Sequence, residues 1–174
     1  IEEYARIYGL KKLPPVRSMA TIVPDADDKP AQAQARLRDV LAGLGLQQIM
    51  NYSFLAEGLL DRFDRDNAPN RVKLANPLTA DHTVMRDALL PQMVETIGLN
   101  FSRQVAETAL FETGRVFRLG PDGKPAETDH VAVGLFGPAG RTGLDKFKPV
   151  DEADMFLWIK GLWEQAAAAL NLRD

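Results

Sequence analysis

Residues 74–120 read LANPLTADHTVMRDALLPQMVETIGLNFSRQVAETALFETGRVFRLG, and the reading of this stretch decides the fold. The turn-forming pair Asn76-Pro77 leads through a polar run to Met85-Arg86-Asp87. Leu90-Pro91 then opens an apolar series at helical spacing: Leu90, Met93, Val94, Ile97 and Phe101. Pro91 suits the first helical turn, where its missing N–H is no loss. A polar linker, Ser102 to Thr108, ends that helix. The run Leu110–Phe117, LFETGRVF, has strand character but carries Glu112, Gly114 and Arg115 in its middle. Residues two apart on a strand share a face, so Phe111, Thr113, Arg115 and Phe117 lie on one side. Leu110, Glu112, Gly114 and Val116 lie on the other. Each face is mixed, which leaves two readings open: structural ion pairs, or a ligand-facing sheet surface.

Downstream, Pro121-Asp122-Gly123 is a turn signal. A partner strand follows at His130–Phe136, where Val131, Val133 and Leu135 alternate with Ala132 and Gly134. The two strands read as an antiparallel pair joined by a long connection. Gly137 to Pro149 is rich in glycine but fits neither phosphate-cradling motif, so it reads as a plain loop. Phe156 to Leu170 is the last helix, with Phe156, Ile159, Leu162, Trp163, Ala166 and Leu170 in register and Asp154 placed as its N-cap.

Upstream, Ile1, Tyr4, Ala5 and Tyr8 form a helical stripe that Gly9 ends. Pro14-Pro15 forces an extended linker, and the segment carrying Asp25, Asp27 and Asp28 reads as a solvated loop. Ala31–Leu44 is an amphipathic helix with Ala33, Leu37, Val40, Leu41 and Leu44 as its apolar stripe. Leu46–Leu55 reads as a strand, Glu57–Phe63 as a short helix, Asp61–Asn70 as a surface loop and Arg71–Ala75 as a short strand. The whole is α+β, an antiparallel sheet flanked by helices.

With 174 residues the chain fits one domain, with a short piece of a neighbour, and can bury roughly 70% of its unfolded surface. It has no cysteine, which excludes a disulfide framework and a thiolate metal site. The net charge of −3 argues against an all-over basic nucleic-acid coat. No apolar run approaches the roughly 18 residues of a membrane span, and no leader pattern opens the chain. The start lies inside a helical pattern and lacks methionine, as expected of a fragment of a longer cytoplasmic protein. Two isolated histidines, His82 and His130, make neither a zinc site nor a nucleophile–base pair. His82 follows Asp81 and reads as a solvated loop histidine.

The phrases NPLTADHTVMRDALLP, LNFSRQ and LFETGRVF resemble the corresponding segment of the bacterial phenylalanyl-tRNA synthetase beta subunit. The opening IEEYARIYGLKKLPP resembles the junction where that subunit's B5 domain ends, and DMFLWIKG resembles a later segment of it. The similarity covers nearly the whole chain in one order. It implies a class II aminoacyl-tRNA synthetase catalytic-like fold, with residues 1–15 as the end of B5 and 16–174 as the catalytic-like core.

The resemblance also implies a role. The family's enzyme is an α2β2 heterotetramer that attaches phenylalanine to tRNA(Phe), with ATP and Mg²⁺ bound in the alpha subunit. The beta core does not catalyse, so this chain is expected to be an interface module supporting alpha. Arg86, Glu112 and Arg115 then stand as remnants of motif 2, paired within the fold or facing alpha. Glu2 and Glu3 match a pair that binds a Mg²⁺ shared with alpha, and hard carboxylate oxygens suit that ion. By residue pattern alone, the same two carboxylates are a solvated helix start favoured by the dipole. The Ala31–Leu44 helix and the strand after it have the form of motif 1, which builds subunit interfaces, although the proline usual there is absent from Leu46–Leu55. A core helix and an interface helix both fit. Two other classes remain: a self-contained nucleotide-binding enzyme on the same fold, and an RNA-binding module.

Overall fold

The computed structural model describes residues 1–12, 14, 16, 19–21, 28–138 and 148–172. The readings of Pro15, of Asp25 and Asp27, and of the glycine-rich run from 139 to 147 lie outside them. The architecture is organised by a long hairpin. Strand β4 (Thr108–Leu119) and strand β5 (Pro125–Phe136) pair antiparallel from Thr108↔Phe136 to Leu119↔Pro125. The connection is tight, not long. Gly120 N donates to Lys124 O at 2.8 Å, and Gly123 takes φ 72° to close the turn. The sequence hides the start of β5 because Glu127, Thr128, Asp129 and His130 are all exposed. A hairpin end clear of the core has no apolar alternation to show.

Helix α2 (Lys29–Gly43) begins at Asp28, whose side chain accepts from Ala31 N at 3.0 Å. Gly45 follows its end at φ 89°. Leu37 and Leu41 of α2, Leu46, Phe111 of β4, and Leu162 and Ala166 of helix α5 (Glu152–Ala169) form the main core. Ala109, Val131, Val133 and Leu135 pack against this cluster from the same face of the hairpin. The N-cap of α5 is Asp151, which accepts from Asp154 N at 2.7 Å, and not Asp154. Within α5, Phe156 and Trp163 stay exposed while Trp158 packs on the core.

Helix α4 (Leu90–Ser102) lies on the opposite face. A Cβ on Gly134 would stand 2.7 Å from Ile97 Cδ1 and 2.9 Å from Met93 Cγ, so the missing side chain lets α4 sit down on β5. Only part of the expected apolar stripe turns inward. Met93 is fully buried and Ile97 half-buried, whereas Leu90, Val94 and Phe101 are exposed.

The expected strand at Leu46–Leu55 is two short ones. Strand β1 (Gln47–Gln48) runs parallel to β4, a departure from the expected antiparallel sheet, and strand β2 (Phe54–Leu55) pairs antiparallel with strand β3 (Val84–Met85). The chain leaves the ladder between them because Asn51 is drawn into a polar network described below. Arg71–Ala75 contributes only a single bridge, Lys73↔Val84. Helix α3 (Glu57–Leu60) is shorter than the expected Glu57–Phe63. Helix α1 (Glu2–Tyr8) buries none of its residues.

Candidate functional site

The charges inside LFETGRVF separate into two environments. Glu112 and Gly114 project from the α4 side of β4, as the strand alternation requires. Arg86 leaves the end of β3 and lies across that face. Its Nη1 donates to Glu112 Oε1 at 2.5 Å and its Nε to Arg115 O at 2.9 Å. Gly114 makes room for this: a Cβ there would collide with the Arg86 guanidinium. Asn51 completes the cluster. Its backbone N donates to Glu112 Oε1 at 3.3 Å, its Nδ2 to Glu112 Oε2 at 2.8 Å, and its Oδ1 accepts from Thr96 on α4 at 3.3 Å. Both oxygens of the buried carboxylate are thus satisfied, as a buried charge requires.

Arg115 is elsewhere. Its side chain is exposed and pairs across the hairpin with Glu127 at 2.7 Å and Asp129 at 3.7 Å. A shallow depression of about 200 Å³ is lined by Arg115, Glu127, Thr128 and Asp129, where two carboxylates neutralise one guanidinium. The three residues expected as one remnant set are therefore a buried pair and a surface arginine. A transferring phosphate needs positive groups that are free to meet it. Arg86 is occupied by Glu112, and Arg115 by Glu127 and Asp129.

A second polar cluster had no clear signal in the sequence. Arg71 is buried and its guanidinium reaches Asp61 Oδ1 at 2.5 Å, Asp64 O at 2.6 Å and Asp87 Oδ2 at 3.3 Å. Asn67 also donates to Asp87 Oδ2, at 2.8 Å. Burial pulls the Arg71 guanidinium down, but its bonds to Asp61 and Asp87 outweigh that and hold it above its ordinary value. The expected surface loop 61–70 is clipped to the fold by this arginine. Arg86 and Asp87 are chain neighbours, yet each anchors a different network. The adjacency in Met85-Arg86-Asp87 was visible, whereas Arg71 sat inside an apparent strand.

His82 is half-buried rather than solvated. It packs against Tyr52 and Phe54, with ring centroids 5.7 Å and 5.1 Å away. Glu2 and Glu3 are exposed on α1, and Glu3 pairs with Arg6 at 3.3 Å. Among the described residues no group of three or more His, Cys, Asp or Glu is placed to hold a metal ion. No described helix is long and apolar enough to cross a membrane.

Residues 13–174 match the family described as the phenylalanyl tRNA synthetase beta chain CLM domain. The chain belongs to the phenylalanyl-tRNA synthetase beta-chain family. The phenylalanine–tRNA ligase beta subunit of Moorella thermoacetica is 34% identical over 178 residues, covering 100% of this chain and 22% of the relative. That of Xanthomonas campestris pv. campestris is 38% identical over 146 residues, covering 80% of this chain and 17% of the relative. The chain spans about a fifth of the length of the beta subunits it matches.

Solved structures show the fold as that of class II synthetases. A histidine–tRNA ligase subunit from Alicyclobacillus acidocaldarius superposes with a TM-score of 0.64 at 17% identity, over 91% of this chain and 44% of that one. A pyrrolysyl-tRNA synthetase from Desulfitobacterium hafniense gives 0.64 at 13% identity, over 84% of this chain and 46% of that one.

Proposed function

We propose that this chain is the non-catalytic, synthetase-like core of a phenylalanine–tRNA ligase beta subunit, and that it serves to hold the catalytic alpha subunit. The observation that carries the reading is the Arg86–Glu112 pair. The charges that would have to face a nucleotide on this sheet neutralise one another at 2.5 Å beneath Asn51 and α4. The whole enzyme is an α2β2 heterotetramer in the cytoplasm that joins phenylalanine to tRNA(Phe), with ATP and Mg²⁺ bound in alpha. Residues 1–15 are the end of the preceding B5 domain and 16–174 the core. An α1 that buries none of its residues supports that division.

Glu2 and Glu3 supply part of a Mg²⁺ site completed by other chains or segments. Their oxygens are the hard, exposed donors that the ion prefers, but they are only two carboxylates, and Arg6 competes for Glu3. When bound, the ion would link this end of the chain to alpha. Co-expression of the full-length beta chain with its alpha subunit tests the reading. A stable complex is expected, with ATP retained by alpha. A beta chain that forms no complex with alpha, or that binds ATP–Mg²⁺ by itself at micromolar concentration, would overturn it.

A further inference from the structure

We infer that Asp122 is a site of spontaneous isoaspartate formation in this chain, held dormant by the closed turn at the end of the β4–β5 hairpin and released to react when that end frays. Asp122-Gly123 is the one Asp-Gly pair in the sequence, and no Asn-Gly pair occurs in it. The chemistry favours that dipeptide. The backbone nitrogen of the following residue must reach the side-chain carbonyl carbon, and a glycine there has no Cβ to obstruct the approach. Residues 121–130 are all exposed, so water, both product and reactant of the reaction, reaches the site freely.

The reaction balances with water as its sole co-reactant. Gly123 N gives up its proton and attacks Asp122 Cγ, which reacts as the neutral acid. The N–C bond forms, a C–O bond breaks and one water leaves, giving a five-membered succinimide. A second water then adds to one of the two ring carbonyls. Addition at the side-chain carbonyl restores aspartate. Addition at the main-chain carbonyl leaves the backbone running through the former side chain, which is isoaspartate. Nothing is oxidised or reduced.

The turn engages both reacting groups elsewhere. Gly123 N donates to Gly120 O at 2.9 Å, which ties up the nucleophile. Asp122 Oδ1 accepts from Lys124 N at 3.1 Å, and Oδ2 faces Lys124 Nζ at 4.0 Å. The carboxylate also lies close over the start of the turn, since a Cβ on Gly120 would stand 3.1 Å from Oδ1. Both hydrogen bonds must break before Gly123 N can close on Cγ. The hairpin end is where they can. The nearest buried residue of β4 is Val116, and an end with so little burial opens at far lower cost than the whole fold. The change would not reverse on closing. Isoaspartate adds one carbon to the backbone between Pro121 and Gly123, so the Gly120–Lys124 bond and the Leu119↔Pro125 pair lose their register.

The test incubates the full-length beta chain in water labelled with heavy oxygen, both native and unfolded in urea, beside a synthetic peptide of residues 118–126 in the same two solutions. Each cycle of ring closure and hydrolysis leaves one heavy oxygen in the residue. Methyl transfer by an isoaspartate-directed methyltransferase counts the isomerised share. Both are read by mass on the tryptic fragment that begins at Leu119. The peptide and the unfolded chain should react at one rate, and the native chain about tenfold more slowly or beyond, because two hydrogen bonds must open first. Lys124→Pro removes the N–H that holds Oδ1 and should raise the native rate several-fold, measured against the unfolded rate of the same variant. Asp122→Glu, which would need a larger ring, should abolish the label in this fragment. A native rate equal to the unfolded one would overturn the inference. So would a native rate that Lys124→Pro leaves unchanged, or an unfolded chain that takes up no label at Asp122.

Discussion

Arg86 and Glu112 meet at 2.5 Å with only 5% and 1% of their side chains exposed, on the face of β4 where Gly114 leaves room for a guanidinium. Removing one partner strands the other as a buried charge. Glu112→Ala is therefore expected to cost about 3–5 kcal/mol, read as a lower denaturant midpoint. Replacing both, Arg86→Met with Glu112→Leu, should recover most of that loss, because no uncompensated charge remains. Arg115→Ala should change stability by less than ~1 kcal/mol, since its pairs with Glu127 and Asp129 lie in solvent. A double variant no more stable than Glu112→Ala alone would contradict this account.

Arg71 ties the 61–70 loop, through Asp61 and Asp64 O, to Asp87 beyond β3. Arg71→Met leaves the Asp87 carboxylate buried and short of a partner, at a cost of about 3 kcal/mol or more. Arg71→Lys should restore only part of it, because an ammonium lacks the planar fork that reaches three acceptors. The pH dependence follows from a folded value held above the ordinary guanidinium value by the bonds to Asp61 and Asp87, against the pull of burial. Stability from a raised base is fully present below its unfolded pKa and is lost only as pH climbs through the folded one. The stability that the Arg71 charge supplies should therefore hold constant from neutral to moderately alkaline pH. Unfolding of wild type and Arg71→Met at about pH 7 and about pH 9 checks this.

Gly137 and Gly98 should respond to alanine with opposite signs. Gly137 sits at φ 67°, and a Cβ there would run into the Ala106 carbonyl oxygen. Gly137→Ala is expected to cost about 2 kcal/mol or more, from strain and overpacking together. Gly98 lies in α4 with nothing within 4 Å of its would-be Cβ. Gly98→Ala should stabilise by roughly 0.5–1 kcal/mol, by lowering the entropy of the unfolded chain and improving helix propensity. Thermal unfolding midpoints moving the same way would show that one environment is misread.

Mg²⁺ titrated into this chain alone should bind weakly or not at all. Two neighbouring carboxylates at the start of α1, one shared with Arg6, cannot offer the near-ideal octahedral set the ion demands. Calorimetry that finds micromolar affinity would refute this. Binding that appears only when alpha and the preceding segment are present would support a shared site.

The amphipathic helices were legible because their signal is local. Leu37 and Leu41 in α2, Met93 and Ile97 in α4, and Leu162 and Ala166 in α5 recur at the helical period and turn inward. The central hairpin strand was legible for the same reason, and so was the family, through runs such as LFETGRVF. The far half of β5 was not, because strand residues 127–130 stand clear of the core and carry no apolar alternation. The residues of Leu46–Leu55 predict one continuous strand, because nothing in their local pattern marks a break. What interrupts it is Asn51, whose partner Glu112 lies 61 positions away.

Periodicity and turn chemistry in the sequence by themselves determined the main helices and the central strand, and the resemblance carried by runs such as LFETGRVF pointed to the family. Only the tertiary structure decided that Arg86 closes on Glu112 while Arg115 stays in water, that Arg71 is the clip for its loop, and that Asn51 turns in to Glu112 and interrupts the strand. The physical reason is range. A hydrophobic repeat is written within one or two turns of chain, whereas the partner of a charge is set by which distant segment the fold brings within about 3 Å of it.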